Sequence, residues 1–554
     1  MHRTLLPFLV YLLVAITVTW SAFVGVGEVV PGDVRTDVWN SLWSLDVVAT
    51  AMEEGRLPFE TQSINFPDGG VFVVSDPLGA LLATPIVWMR GLNTGFSWLV
   101  WFQLAFGGTM MHRFATEYLS WRRGSGSTRL APWLSGMSFT IAPLMMSHVQ
   151  NGATEALSGG WTVLAVWMCW RASVRGSIFS AVVAAFCLFL ASVGHWYGGV
   201  VAFLFAGSLL VMGNGEGRLH HIHARALSLL LGMAFVLPLA WAVQNLATDA
   251  DSLLVIKNAE ILESMRRTLG PADPLGYLVP GEFRSPDFYE ISRNDERFVH
   301  SHYLGWSLIG LSVWGVVRRR RATGFLVLSA IVCGVLSLGP VLVSGGSPVV
   351  FAGSLVVPLP FFLVESMPGF SSLSLLYRLA LGPVIALCLL AGMAIDQRGK
   401  RMLIGALALV WIELRWLSPV ASLPTTVNVV PYTSLVALAD APDGAVMNYP
   451  LQPGRAYLYE QTIHRKPVAG SLNKVTNRQS ERLWKRIMAE MNQSPDAFHR
   501  AVSTTAERLG IRYLVVHTDP YAEPDTYTEA VRRLERLFPP DDWGQGQVRV
   551  LKLW

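Results

Sequence analysis

Charge is scarce in this sequence: 15% of its 554 residues are Asp, Glu, Lys or Arg, against about 25% in an ordinary soluble domain. So few charges cannot cover a water-soluble surface for a chain in which 52% of residues are hydrophobic and the mean hydropathy is +0.40. Cysteine is rarer still. Cys169, Cys187, Cys333 and Cys388 each lie inside an apolar block, and no CxxC or Cys/His zinc spacing occurs, so they read as packing residues. No GxxxxGK[ST] phosphate loop is present, which leaves a nucleotide-driven cytoplasmic activity without support. A formal net charge of +4 with no basic aromatic module gives no sign of nucleic acid as a partner.

What the chain has in quantity is apolar blocks. A spanning helix needs about 20 mostly apolar residues, and eleven blocks approach or reach that length when extended into their flanks: 5–26, 96–111, 130–146, 156–170, 178–193, 196–213, 226–243, 303–317, 324–343, 379–395 and 402–416. The first lacks a small-residue cleavage site and reads as a retained helix rather than a signal peptide. Two more, 77–89 and 349–364, are too short or too rich in proline and read as re-entrant or interfacial segments. With eleven spans and a cytoplasmic N-terminus, the inner loops hold Arg122, Arg123 and Arg129; Arg171 and Arg175; Arg218 and Arg225; Arg318 to Arg321; and Arg398, Lys400 and Arg401. The short outer loops near His148 and His195 and the stretch 344–376 hold no Lys or Arg, as the positive-inside rule requires.

Three long segments then face outward: 27–95, with nine acidic residues and three arginines, 244–302, and the tail. Strand-like runs from Gly444, from Arg512 and from Val548, with a helical composition over 480–509, give the tail an α/β reading. The expected architecture is an all-α polytopic membrane part over 1–418, with about eleven helices, and a soluble extracytoplasmic α/β domain over 419–554.

Candidate chemistry gathers in the outer loops. Asp33 follows the end of the first helix, Gly32 allows a turn there, and Asp37 lies four residues on, sharing a face with it if the segment is helical. Trp39 and Trp43 would then suit a membrane interface. A helix cap in a solvated acidic loop accounts for the same residues. Asp76, before Pro77, starts a new element. Glu155 either serves the helix dipole after a Thr154 cap or stands as a carboxylate at membrane-surface depth beside His148, facing Asp33 across a cavity. His195 and Tyr197 lie in an outer turn. Arg35, Lys257, Arg266, Arg267, Arg284 and Arg378 are the outer cations available to a phosphate. Arg378, alone after a long stretch without Lys or Arg, suits either snorkelling or a two-pronged phosphate contact.

The order of these features resembles bacterial membrane glycosyltransferases of the GT-C fold, including the branch related to YfhO-like proteins. The residues that carry the likeness are Gly32-Asp33 with Trp39 and Trp43; Asn65-Phe-Pro-Asp-Gly; Asp76-Pro-Leu-Gly; Thr154-Glu-Ala-Leu after His148; Met367-Pro-Gly-Phe and Tyr377-Arg-Leu-Ala; and, in the tail, Asn448-Tyr-Pro-Leu, His464-Arg-Lys-Pro and Leu509-Gly-Ile-Arg. Glu155 departs from the pattern, because many relatives carry Asp there. The resemblance implies an enzyme of the bacterial inner membrane that moves a sugar from a polyprenyl-phosphate donor to a glycan, lipid or protein acceptor on the outer side. Asp33 and Glu155 would be catalytic, or hold a divalent cation such as Mg or Mn. Arg378, Arg35 and Arg284 would bind the donor phosphate, with Asp37, Asp76, His148, His195 and Tyr197 around them. A flippase for a lipid-linked saccharide and a non-catalytic envelope scaffold are the competing functions.

Overall fold

The computed structural model describes residues 2–123, 130–213, 219–249, 251–253, 259–280, 299–318, 323–344, 347–351, 355–367, 369–396, 398–416, 424–449, 456–472, 478–490, 495–517, 532–534, 537 and 548–554. All eleven apolar blocks are helical, but several are broken where the sequence dictates it. The third divides into Ala131–Thr140 and Pro143–Gln150 because Pro143 lacks an N–H and forces Ala142 out of the helical region. The tenth opens as a single 3-10 turn, Leu376–Ala380, before the α-helix Leu381–Ile395. Block 349–364 forms short strand pairs and a 3-10 turn rather than a helix, as its prolines and β-branched residues favour.

Helix Leu381–Ile395 is the axis of the bundle, buried at every position except Leu387. It packs against Ala131–Thr140, Trp306–Arg318 and Gly324–Ser337. The long helix Leu92–Arg123 lies beside His2–Val18, Ala131–Thr140 and Gly159–Arg175. A Cβ on Gly160 would come within 2.9 Å of the Gly107 backbone nitrogen, so glycine lets these two helices touch backbone to backbone. The periphery is apolar outward. In His220–Ala247 only 17% of the most apolar stretch is buried, and Trp241 is 70% exposed. A row of bare apolar side chains on a 28-residue helix is the surface of a protein solvated by lipid, not by water. Among the described residues, His220–Ala247 and Leu376–Ile395 have the length and composition to cross a bilayer, and five further apolar helices are shorter.

In the tail, strands Ala445–Tyr449 and Ile511–His517 run parallel, and Val548–Lys552 adds antiparallel to the second. Amphipathic helices Arg478–Glu490 and Pro495–Leu509 cover the sheet, burying Leu483, Ile487, Phe498 and Val502 against Leu514 and Val516. This layer is stitched to the first outer segment. Thr426–Asn428 pairs antiparallel with Val29–Pro31. The Asn65 and Phe66 N–H groups donate to the Gly470 and Val468 carbonyls at 2.7 and 3.0 Å. Arg465 grips the Asp46 carboxylate with two bonds of 2.6 and 3.0 Å.

The first outer segment corrects two expectations. Residues 33–37 form turns, and the helix Val38–Glu53 begins only after Asp37, so Asp33 and Asp37 do not share a helical face. Trp39 and Trp43 are buried, not interfacial: Trp39 lies against Tyr459 of the tail and Trp43 against Phe72. The tail occupies the side the indoles were expected to show to lipid.

Burial pushes the Asp46 carboxyl pKa up, and Arg465 opposes that rise. Arg465→Met should therefore lower the thermal midpoint at neutral pH by the equivalent of about 1 kcal/mol, the half-exposed guanidinium being partly screened. The folded state then protonates Asp46 more readily than the unfolded state does, so the deficit should shrink as pH falls. Thermal unfolding at pH 7.5 and pH 5 checks both.

Candidate active site

Glu155 sits in the short helix Thr154–Leu157 and Arg378 in the 3-10 turn that opens the axial helix. Their side chains meet, Arg378 Nη1 donating to Glu155 Oε1 at 3.2 Å, with Arg378 only 11% and Glu155 only 17% exposed. The guanidinium also lies over the Tyr197 ring, 5.6 Å from its centre. A cation so enclosed needs both the carboxylate and the ring face to offset lost hydration.

The segment leading to Arg378 is held from three sides. Tyr197 Oη accepts the N–H groups of Ser374 and Leu375 at 2.9 and 2.7 Å. Buried Arg266 donates to the carbonyls of Leu373, at 2.7 Å, and Phe370, at 3.1 Å, and to that of Ser371. The Tyr377 N–H donates to the Gly270 carbonyl at 2.8 Å. Arg266 is thus a structural strut rather than a phosphate cation, and Arg267 is paired with Glu263 at 2.9 Å. Lys257 and Arg284 lie outside the described residues. Arg35 is half-buried on the Asp33 turn.

Around the ion pair the structure gathers most of the expected residues. Asp76 is buried at the start of helix Pro77–Arg90, accepting from the Gly79 N–H at 2.9 Å and from Gln103 Nε2 at 2.8 Å. Thr154 does not cap its helix: Ala153 holds the cap position, and the Thr154 hydroxyl bonds Asp76. Burial drives the Asp76 carboxyl up to about 6, with the nearby Glu155 charge adding to the rise. Glu155 is likewise raised, by burial first, against the pull of Arg378 and with a push from Asp37. His148 and His195 are buried, and burial, reinforced by Arg378, holds both well below the usual imidazole range, hence neutral. His148 Nδ1, both ring nitrogens of His195 and Arg378 Nε have no hydrogen-bond partner among the described residues. Buried polar atoms are rarely left so, and three imidazole nitrogens near a guanidinium whose own Nε is unpaired form a lining suited to a polar ligand. His300 stacks on Tyr377 at 4.4 Å, close to His148.

Asp33 lies on the turn between the strand Val29–Pro31 and the helix Val38–Glu53. Its Oδ1 accepts the Arg35 N–H at 3.0 Å and its Oδ2 faces Gln150 Nε2 at 3.4 Å, and the side chain is half-buried. The carboxylate felt by Glu155 is Asp37, and Glu155 is in turn felt by Asp76. Among the described residues no three His, Cys, Asp or Glu side chains gather as a closed metal site would need. Sequence reasoning missed Gln103, Gln150, Gly270 and Thr425, and gave Arg266 the wrong role. Polar residues that bond across hundreds of positions leave no local pattern.

Two outcomes follow. A Cβ on Gly270 would lie 1.7 Å from the Ser374 carbonyl oxygen, so Gly270→Ala should displace the Arg378 segment and abolish site function in a protein that still folds, as read by ligand binding alongside thermal unfolding. For Asp76 the folded pKa lies above the unfolded value of 3.8, at about 6. The folded state binds its proton more tightly, so the stability this gives is present below pH 4 and lost as pH rises through 6. Asp76→Asn removes that loss, and its stability relative to the parent should climb by up to about 3 kcal/mol between pH 4 and pH 7.

No family model and no characterised protein sequence matches the chain. Solved structures do. The arabinofuranosyltransferase AftD from Mycobacteria superposes on 100% of this chain with a TM-score of 0.55 at 13% identity, the chain spanning 40% of AftD. An oligosaccharyltransferase from Archaeoglobus fulgidus, solved with zinc and sulfate, superposes on 92% of this chain and 68% of its own length, with a TM-score of 0.51 at 11% identity. This chain therefore shares the GT-C fold of these transferases.

Proposed function

We propose that this protein is an integral membrane glycosyltransferase that takes a sugar from a polyprenyl-phosphate donor and places it on an acceptor hydroxyl at the outer face of a bacterial inner membrane. About eleven helices would span, with the N-terminus cytoplasmic and the tail outside. The observation that supports this best is the buried Arg378–Glu155 pair with unsatisfied nitrogens around it, at the loop-bearing end of an apolar bundle. A lipid-linked phosphodiester presents one anionic group at headgroup depth. A guanidinium held there can bind it by two parallel hydrogen bonds, and His195 and His148 supply N–H groups that stay neutral.

The transfer is a direct displacement. The acceptor oxygen bonds to the anomeric carbon as Asp33 takes its proton, and the bond from that carbon to the phosphate oxygen breaks. The electron pair leaves with the polyprenyl phosphate, whose added charge Arg378 stabilises. The anomeric configuration inverts, and no covalent enzyme intermediate forms. Glu155 holds Arg378 in place, and Asp37 sets the charge felt by Glu155. Asp33→Asn should reduce transfer at least about 100-fold with normal membrane insertion. Arg378→Lys should also fail, since an ammonium cannot reproduce the two-pronged contact. Release of polyprenyl phosphate in membranes supplied with polyprenyl-phosphate hexoses and pentoses measures both, and full activity of Asp33→Asn would refute the assignment of the base.

A further inference from the structure

The tail enters the fold through one residue that touches the Asp33 turn. Thr425, just ahead of the strand Thr426–Asn428, donates its N–H to Gln150 Oε1 at 3.0 Å and receives Gln150 Nε2 on its hydroxyl oxygen at 2.7 Å. The same hydroxyl donates to the Gly32 carbonyl at 2.8 Å, and the Gly32 N–H returns to the Thr425 carbonyl at 3.0 Å. Gln150, buried at the end of helix Pro143–Gln150, also presents Nε2 to Asp33 Oδ2 at 3.4 Å. A backbone N–H can only donate, so the Gln150 oxygen must face Thr425 and its NH2 must face Asp33. The amide orientation is therefore fixed by the tail.

We infer that Gln150 is a positioning residue for Asp33 and that the tail acts through it, as a splint that fixes the Asp33 turn against helix Pro143–Gln150. This rests on Asp33 being the base. Three further features belong to the splint. Gly32 has φ of +147°, and a Cβ there would lie 3.2 Å from Val38 Cγ2, so the turn admits glycine alone without strain. The Asp37 N–H donates to the Asn151 carbonyl at 3.1 Å, and Ser41 Oγ to the Gly152 carbonyl at 2.7 Å, so the far side of the turn is tied to the same helix end. The two N–H groups on Asp33 fix the plane of its carboxylate, while an ionised carboxylate offers about four acceptor sites, leaving room for an acceptor hydroxyl.

The experiment uses the full chain in lipid nanodiscs, with Gln150→Ala, Gln150→Glu, Thr425→Val and Thr425→Ser. Gln150→Glu keeps an oxygen for the Thr425 N–H, removes the amide donor to Asp33 and to the Thr425 hydroxyl, and sets a second carboxylate beside Asp33. Two readouts are taken: hydrogen exchange of amides 32–37, and release of polyprenyl phosphate from the hexose and pentose donors. Gln150→Ala and Thr425→Val should speed exchange across 32–37 and leave the strand amides of the tail protected. Both, and Gln150→Glu, should lower kcat by about 10- to 100-fold, the scale of a misplacement near 1 Å, with donor KM little changed. Thr425→Ser, which keeps the hydroxyl, should restore both readouts, and in an Asp33→Asn background Gln150→Ala should add nothing. Unchanged exchange at 32–37 and unchanged kcat in the two Gln150 variants would overturn the splint. Retained transfer in Asp33→Asn would instead strike the choice of base, and the exchange data would still judge the splint on its own.

Discussion

The arrangement turns on placing one guanidinium, that of Arg378, in a region of low dielectric. A buried cation needs a counter-charge and a rigid frame, because its desolvation rivals its Coulombic gain unless the geometry is good. Glu155 supplies the charge at 3.2 Å, and Tyr197 supplies both a ring face and an acceptor for the backbone that carries Arg378. The frame comes from Arg266, a second cation that donates to three carbonyls of that segment. The loop from 369 to 375, without regular structure, is thereby tied down from three sides.

The same constraint explains why the tail is bound so closely to the membrane part. Asp33 and Asp37 lie on a turn, and turns do not hold a side chain to fractions of an ångström by themselves. Strand pairing of Val29–Pro31 with Thr426–Asn428, the Arg465 grip on Asp46 and the Tyr459 contact with Trp39 supply the missing rigidity from more than 300 residues away in sequence. The tail is built into the site's foundations, whatever else it binds.

Much of this was legible in the sequence, and the failures have physical causes. Apolar blocks located the helices because lipid-facing and core-facing positions are both apolar, so the block shows irrespective of orientation. The tail strands showed for the related reason that alternation and β-branching mark half-buried sheets. Glu155, Arg378, His148, His195, Tyr197 and Asp76 stood out as polar residues at the ends of apolar runs, where burial is costly, and the fold brings them together. Asp33 with Asp37 on one helical face failed because Gly32 and the ties to Asn151 and Thr425 favour turns over a helix. The tryptophans misled because an interfacial anchor and a domain-docking anchor have the same composition. Gln150 and Thr425 were invisible because their partners are 117 to 393 positions away.

The distribution of polarity also weighs between moving a sugar and moving a lipid. A carrier with alternating access lines a path through the bilayer with polar groups and commonly breaks its helices near the midplane. Here the axial helix Leu381–Ile395 has no charged residue along its length and packs closely on all sides. Charge flanks it at both ends: Arg378 stands just before its first turn, with Glu155, Asp76 and Asp37 around that point, and Asp396 and Arg398 follow its last residue. The Arg378 end can bind an anionic headgroup and act on it in place. With an apolar axis below it and the tail packed on the first outer segment, the arrangement favours bond exchange at the surface over transport across it.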